Sequence, residues 1–264
     1  MDPSLQQYVD AALRWFHVGA GVLWMSQLFF FNLVNAHVAK TYDAELKRKL
    51  VPELMPRALY FFRWGALFTW LSGLLLIGLV YHLGGLMVGS DATPAQRGLA
   101  FGASQGLIFF GFFIYDLLWR SPAAKSEALG AVLSLILFAA MAFGLAQVMA
   151  GRALWLHLGA ILGSVMMMNV WMRIWPAQKK IIRGVKETGP APGPEVAALA
   201  ALRSKHNLYM SFPVLLFMVA PHTFTLGFGD GLNWAWATGV MVIGGGATKF
   251  LLFKANSSAP LAAP

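Results

Sequence analysis

With no cysteine in the chain, metal ligation through side-chain nitrogen or sulfur falls mainly to six histidines. Lack of cysteine removes iron–sulfur clusters, thiolate zinc sites and covalent c-type haem attachment. Imidazole remains the standard axial ligand of non-covalent haem. A bis-histidine haem needs two such rings at one depth on facing helices. His17, His157 and His222 each lie a short way inside the same end of an apolar stretch, so at about 1.5 Å rise per residue their depths match. His206 and His222, by contrast, are ~24 Å apart if the segment is helical and cannot share an iron. The expectation is haem b on two of the three, His17, His157 and His222. Each taken alone could equally be a hydrogen-bonded packing residue. His37 and His82 sit at ends of apolar stretches, where an interface histidine costs little.

A second group of polar side chains gathers toward the opposite ends of the same stretches. It comprises Gln27, Asn32 and Asn35, then Arg63, Asn169 and Arg173, then Arg203, Lys205, His206, Asn207 and Tyr209. Amides and guanidinium groups at one depth could cradle a planar, hydrogen-bonding anion, for which the rigid donor fork of arginine is suited. Asn32, Arg63, Asn169, Arg173 and Asn207 are the expected substrate contacts, with His206 the best-placed general base. The simpler account for each arginine alone is snorkelling to lipid phosphates. For the amides it is helix–helix hydrogen bonding. Asp116 stands four residues before Arg120, a spacing that predicts an ion pair on one helical face. Met166, Met167 and Met168 read as gap-filling core, and Gly244, Gly245 and Gly246 as close helix packing.

Positioning these groups falls to membrane-spanning helices. Hydrophobic residues make up 58% of the 264 and charged ones only 12%, against roughly 25% charged in a soluble domain. Disorder and a disulfide scaffold are both excluded. Apolar stretches near the roughly 20 residues a helical span needs occur at about 11–38, 58–83, 99–120, 127–149, 152–175, 207–228 and 232–254. The expected fold is an all-α integral membrane protein, one domain of seven transmembrane helices. The 176–206 segment is read as a cytoplasmic loop holding the low-complexity run Gly189-Pro-Ala-Pro-Gly-Pro194.

The net charge of +9 is a topology signal. Every Lys and Arg except Arg14, Arg97 and Arg152 falls on one side of the expected spans. By the positive-inside rule that side is cytoplasmic, with the N-terminus outside and the C-terminus inside. A nucleic-acid surface would need its charge on one folded polar face, so no nucleic-acid partner is expected. Asp2 and Asp10 before a long apolar run argue against a cleaved signal peptide. A bacterial inner membrane, with lipid around the bundle, is the expected location.

Several stretches together resemble one family. They are Arg14-Trp-Phe-His17, Gly21-Val-Leu-Trp24 and Phe31-Asn32; Arg63-Trp64-Gly65; His157-Leu-Gly159, Asn169-Val170 and Pro176-x-Gln178. The longest is Arg203-Ser-Lys-His206-Asn207-x-Tyr209, continuing through Pro213-Val214 to His222. The sequence is similar to the membrane-embedded N-terminal domain of the bacterial membrane urate oxidase (urate hydroxylase) family. A broader similarity links the Arg-x-x-His start to small haem-binding membrane proteins of the bacterial protoporphyrinogen oxidase type. The resemblance implies oxidation of urate or a similar planar substrate, with electrons passed to a c-type cytochrome. The family's histidines correspond to His17, His157, His206 and His222. No Cys-x-x-Cys-His is present, so the cytochrome is expected to be a separate protein. Two other readings stand beside this one: a non-catalytic haem relay or anchor subunit of a respiratory complex, and a solute transporter without a redox role.

Overall fold

The structure, a computed structural model, describes residues 2–187, 190–223 and 231–257. Among these there is no strand. Helices α1 (Pro3–Phe29) and α2 (Ala36–Val38) are joined without a break by a π-helical stretch, Phe30–Asn35. Helix α3 (Ala44–Leu76) runs on through a second one, Ile77–Leu83, and is followed by α4 (Pro94–Arg120) and α5 (Glu127–Ala146). Helix α6 (Gly151–Asn169) continues through a third, Val170–Ile174, into α7 (Trp175–Val185); α8 (Pro194–Thr223) and α9 (Asn233–Ser257) complete the chain.

Six of these continuous helices are long and apolar enough to cross a membrane: Ser4–Thr41, Ala44–Leu83, Pro94–Arg120, Glu127–Ala146, Gly151–Val185 and Asn233–Ser257. The expected span 207–228 starts within α8, and its residues 224–228 lie outside the described ones. The helices outrun the expected spans. Residues 44–57 continue α3 despite Pro52 and Pro56, because the surrounding Glu, Leu, Lys and Arg are good helix formers. Asp43 caps its start by accepting from the Leu46 N–H at 2.7 Å. Much of 176–206 is likewise helical, in α7 and the first turns of α8.

Burial divides the bundle into a centre and a rim. The most apolar window of the α6–α7 helix is 78% buried, whereas those of the other five span-length helices are 17–28% buried. Helix α6 packs on α3, α4 and α8, while α1 lies along α3 and α9 along both α5 and α8. Leu75, Phe110, Leu117, Ile136 and Ile243 are more than half exposed. Such a coat of large apolar side chains is what lipid contact requires and what water would penalise. Polar cross-links pin the centre. Trp70 Nε1 donates to Ser164 Oγ at 2.8 Å, and Trp171 Nε1 donates to the Arg63 carbonyl at 3.0 Å. Of the three consecutive glycines, Gly244 has the close-packing role: a Cβ there would lie 2.6 Å from Pro213 Cδ.

Candidate functional site: a buried polar network and a histidine end

The polar network is built by α4, α6 and α8. Asp116, which is 4% exposed, would be prohibitive in an apolar bundle without partners. It has three. Arg203 Nη2 donates to its Oδ1 at 2.8 Å. Arg173 grips it with two nitrogens, Nε on Oδ1 at 2.9 Å and Nη2 on Oδ2. Arg120 reaches Oδ2 only at 3.8 Å, with its side chain 70% exposed. The i,i+4 pair expected from sequence is therefore present but peripheral; the closer partners come from other helices. One carboxylate faces two guanidinium groups, that of Arg203 buried and that of Arg173 partly exposed, leaving one positive charge in excess.

Beside this ion cluster runs a chain of neutral groups. Asn207 Nδ2 donates to the Met166 carbonyl at 2.9 Å, and its Oδ1 accepts from Asn169 Nδ2 at 2.9 Å. The same Asn169 nitrogen donates to the Tyr115 hydroxyl at 3.2 Å. Tyr115 O–H lies 2.7 Å from His206 Nδ1. With the hydroxyl proton on the side of His206 Nδ1, the imidazole carries its own proton on Nε2; in the other tautomer Nδ1–H donates to the hydroxyl. The Trp119 ring lies 3.9 Å from that imidazole.

Of the expected substrate contacts, Asn169, Asn207 and Arg173 are thus in one network with His206. Asn32 and Arg63 are not hydrogen-bonded into it. Asn32 lies in the first π-helical stretch and donates to the Leu28 carbonyl and Ser204 Oγ, both at 2.9 Å. The Arg63 guanidinium stacks over Trp175 at 4.0 Å. Asn169 directly precedes another π-helical stretch, and Arg173 lies inside it. Widened turns of this kind recur at functional sites, because they redirect side chains that a regular helix would aim elsewhere.

The histidines at the other end are held differently. His157 is fully buried; its Nδ1 lies 2.7 Å from the Ala153 carbonyl, so Nδ1 bears the proton and Nε2 a lone pair. That Nε2 is buried without a partner. His17 Nδ1 is 3.0 Å from Ser72 Oγ, and the Ser72 hydroxyl points its own hydrogen at the Phe68 carbonyl, 2.7 Å away. His17 therefore also donates from Nδ1 and presents Nε2 as an acceptor. Its ring lies flush on α3, for a Cβ on Gly73 would be 3.1 Å from His17 Cε1. His222 is exposed, next to Pro221, whose carbonyl takes both Nε and Nη2 of Arg152.

Among the described residues, no hydrogen bond or ring contact joins any two of His17, His157 and His222. The imidazole beside His157 is His82, with ring centroids 6.2 Å apart; His82 Nε2 is 2.9 Å from Gln105 Nε2. Haem is the group this donor set suggests, and the residues fit it at one position. At His157 a carbonyl fixes Nδ1–H and leaves a desolvated Nε2, the arrangement that orients a metal-ligating histidine.

Sequence reasoning missed Tyr115, and it placed Arg203 in the polar group without counting it among the substrate contacts. Tyr115 is flanked by apolar residues and Asp116, and the acid alone drew notice. Arg203 reads as a snorkelling residue from its place before a span, yet it is 1% exposed. The available signal was electrostatic: an acid near the inner end of a span requires cations, and Arg203 is one of the three arginines that reach it.

A bundle of helices long and apolar enough to cross a membrane, with ion-paired polar groups buried among them and histidines toward the opposite end, has the build of a multi-pass membrane protein. The particular kind is given by its sequence: the chain belongs to the urate oxidase N-terminal family, which matches residues 3–263. No curated protein and no solved structure matches it.

Proposed function

We propose that the chain is a haem b-containing oxidoreductase of the urate oxidase type. It takes urate or a similar planar substrate at the Asn169–Asn207–Tyr115–His206 network and delivers electrons to a separate c-type cytochrome. The family match supports the urate-oxidase-like reaction; the observation that carries the assignment of the site is the buried hydrogen-bonded run from Asn207 to His206.

Water-derived hydroxylation of urate, which has no C–H, balances as substrate plus water giving a C–OH product, two protons (one from water, one from a ring N–H) and two electrons. The protons need a buried acceptor. Tyr115 is oriented to pass its proton to His206 Nδ1 while taking one at its oxygen, so the two residues act as a relay with His206 as terminal base. Asn169 and Asn207 fix the Tyr115 hydroxyl, and Asp116 fixes Arg173 and Arg203 around it. Haem b, held by His157 with His17 or His222 as the second candidate ligand, would supply one-electron transfer when bound. With the basic ends cytoplasmic, the network faces the cytoplasm and the histidine end faces outward in a bacterial inner membrane, where a periplasmic cytochrome could dock.

The test is a reduced-minus-oxidised absorption spectrum of the detergent-purified chain, with extracted haem quantified. A b-type spectrum with haem stoichiometric to protein is expected. Replacing His206 with Ala should leave that spectrum in place and lower turnover about 10²–10⁴-fold. A colourless protein from haem-replete cells, or full turnover in His206→Ala, would overturn the proposal. Haem without any substrate oxidation would favour the relay or anchor-subunit reading.

A further inference from the structure

Three polar atoms around Tyr115 are left without partners. Arg203 spends Nη2 on Asp116, but its Nε and Nη1 have none. Its guanidinium carbon lies 4.9 Å from the centre of the Tyr115 ring. Asn169 is fully buried and donates its Nδ2 to Tyr115 and Asn207, while its Oδ1 accepts nothing. Two charged donors and one neutral acceptor, all on fully or nearly fully buried residues, therefore border one aromatic ring. Unpaired buried groups are expensive, and more so where the donor carries charge. The same region holds the uncompensated positive charge left by Asp116 against Arg173 and Arg203.

We infer that Arg203 and Asn169 form the recognition pair of this site, selecting an anionic heterocycle that also carries a ring N–H. The inference rests on the proposal that the network takes the substrate, and it specifies what that substrate must present. The excess charge asks for an anion, and Arg203 Nε–H and Nη1–H ask for its oxygen or ring-nitrogen lone pairs. Asn169 Oδ1 asks for a donor. Carboxylates and sulfate offer no donor, and fully N-methylated purines offer neither the charge nor the donor. A deprotonated oxopurine that keeps a further ring N–H offers all three. Ordered water could pair the same atoms, but water would confer no such selectivity.

The measurement is equilibrium dialysis of radiolabelled urate against the full chain in detergent, oxidised and without electron acceptor, so that binding is read apart from turnover. Saturable binding is expected, with benzoate (a flat anion lacking N–H) and tetramethylurate (flat, neutral, lacking N–H) each competing at least about 10–100-fold more weakly. Arg203→Gln, which keeps amide donors but loses the charge, should weaken urate binding by a similar factor. Arg203→Lys should fall between the two. Equal competition by benzoate or tetramethylurate would overturn the inference on the unaltered protein, whatever the variants' folding. Unchanged urate affinity in a folded Arg203→Gln would do the same. Selective urate binding by a protein without haem would sink the redox proposal and leave this inference standing. Urate turnover with an unchanged KM in Arg203→Gln would do the reverse.

Discussion

The two ends of the bundle hold their polar groups by opposite means. In the arginine-rich network almost every bond crosses between helices: α4 to α6, α4 to α8, α6 to α8. At the other end His157 is fixed by the carbonyl of its own helix four residues earlier, and His17 by one serine of its immediate neighbour. Cross-linked groups have little freedom and define a shape, as recognition of a ligand demands. Locally anchored imidazoles keep one nitrogen uncommitted, as coordination demands. The difference teaches that loss of a partner should damage folding at the first end and cofactor retention at the second.

The largest effect expected from this contrast is at His157. His157→Ala should abolish a b-type spectrum while the protein still elutes as a folded species in detergent; an unaltered spectrum would remove His157 from the ligand set. Next is Asp116→Ala, which leaves Arg203 buried and Arg173 half-buried without their counter-ion and should destabilise the fold by ~3–5 kcal/mol. Thermal unfolding in detergent reads it, and a melting temperature equal to that of the parent would show that the ion cluster is not a structural link. The smallest effect is at Arg120, exposed and 3.8 Å from the same carboxylate. Arg120→Ala should change stability by less than about 0.5 kcal/mol, and a loss as large as that of Asp116→Ala would mean that the peripheral pair had been undervalued.

Much of the architecture was legible because length and hydropathy alone decide what can cross a bilayer. The spans at 58–83, 99–120, 127–149 and 232–254 correspond to continuous helices in the structure. Less visible were the helical extensions at 44–57 and 194–206, since their charge reads as loop. That misreading had a consequence for the site. With α8 helical from Pro194, Arg203 lies on a turn facing the interior rather than at a water-exposed margin. Asn169, Asn207 and His206 stood out in sequence because amides and imidazole in apolar stretches are conspicuous. Asp116 stood out too, but sequence displays only its neighbour four residues on; Arg173 and Arg203, 57 and 87 residues away, become partners only when α4, α6 and α8 pack together. The closeness of His82 to His157 is a tertiary fact of the same kind.

The central claim is that substrate is taken at the cross-linked network and its electrons leave through the histidine end. It is tested most directly by adding urate anaerobically to the oxidised, purified protein and recording the absorption spectrum. The account predicts that urate reduces the haem in the wild-type chain. In Arg203→Gln, urate should fail to do so at matched concentration although dithionite still reduces the haem fully. A wild-type haem that dithionite reduces and urate leaves oxidised would contradict it, as would an Arg203→Gln protein reduced by urate as readily as the parent.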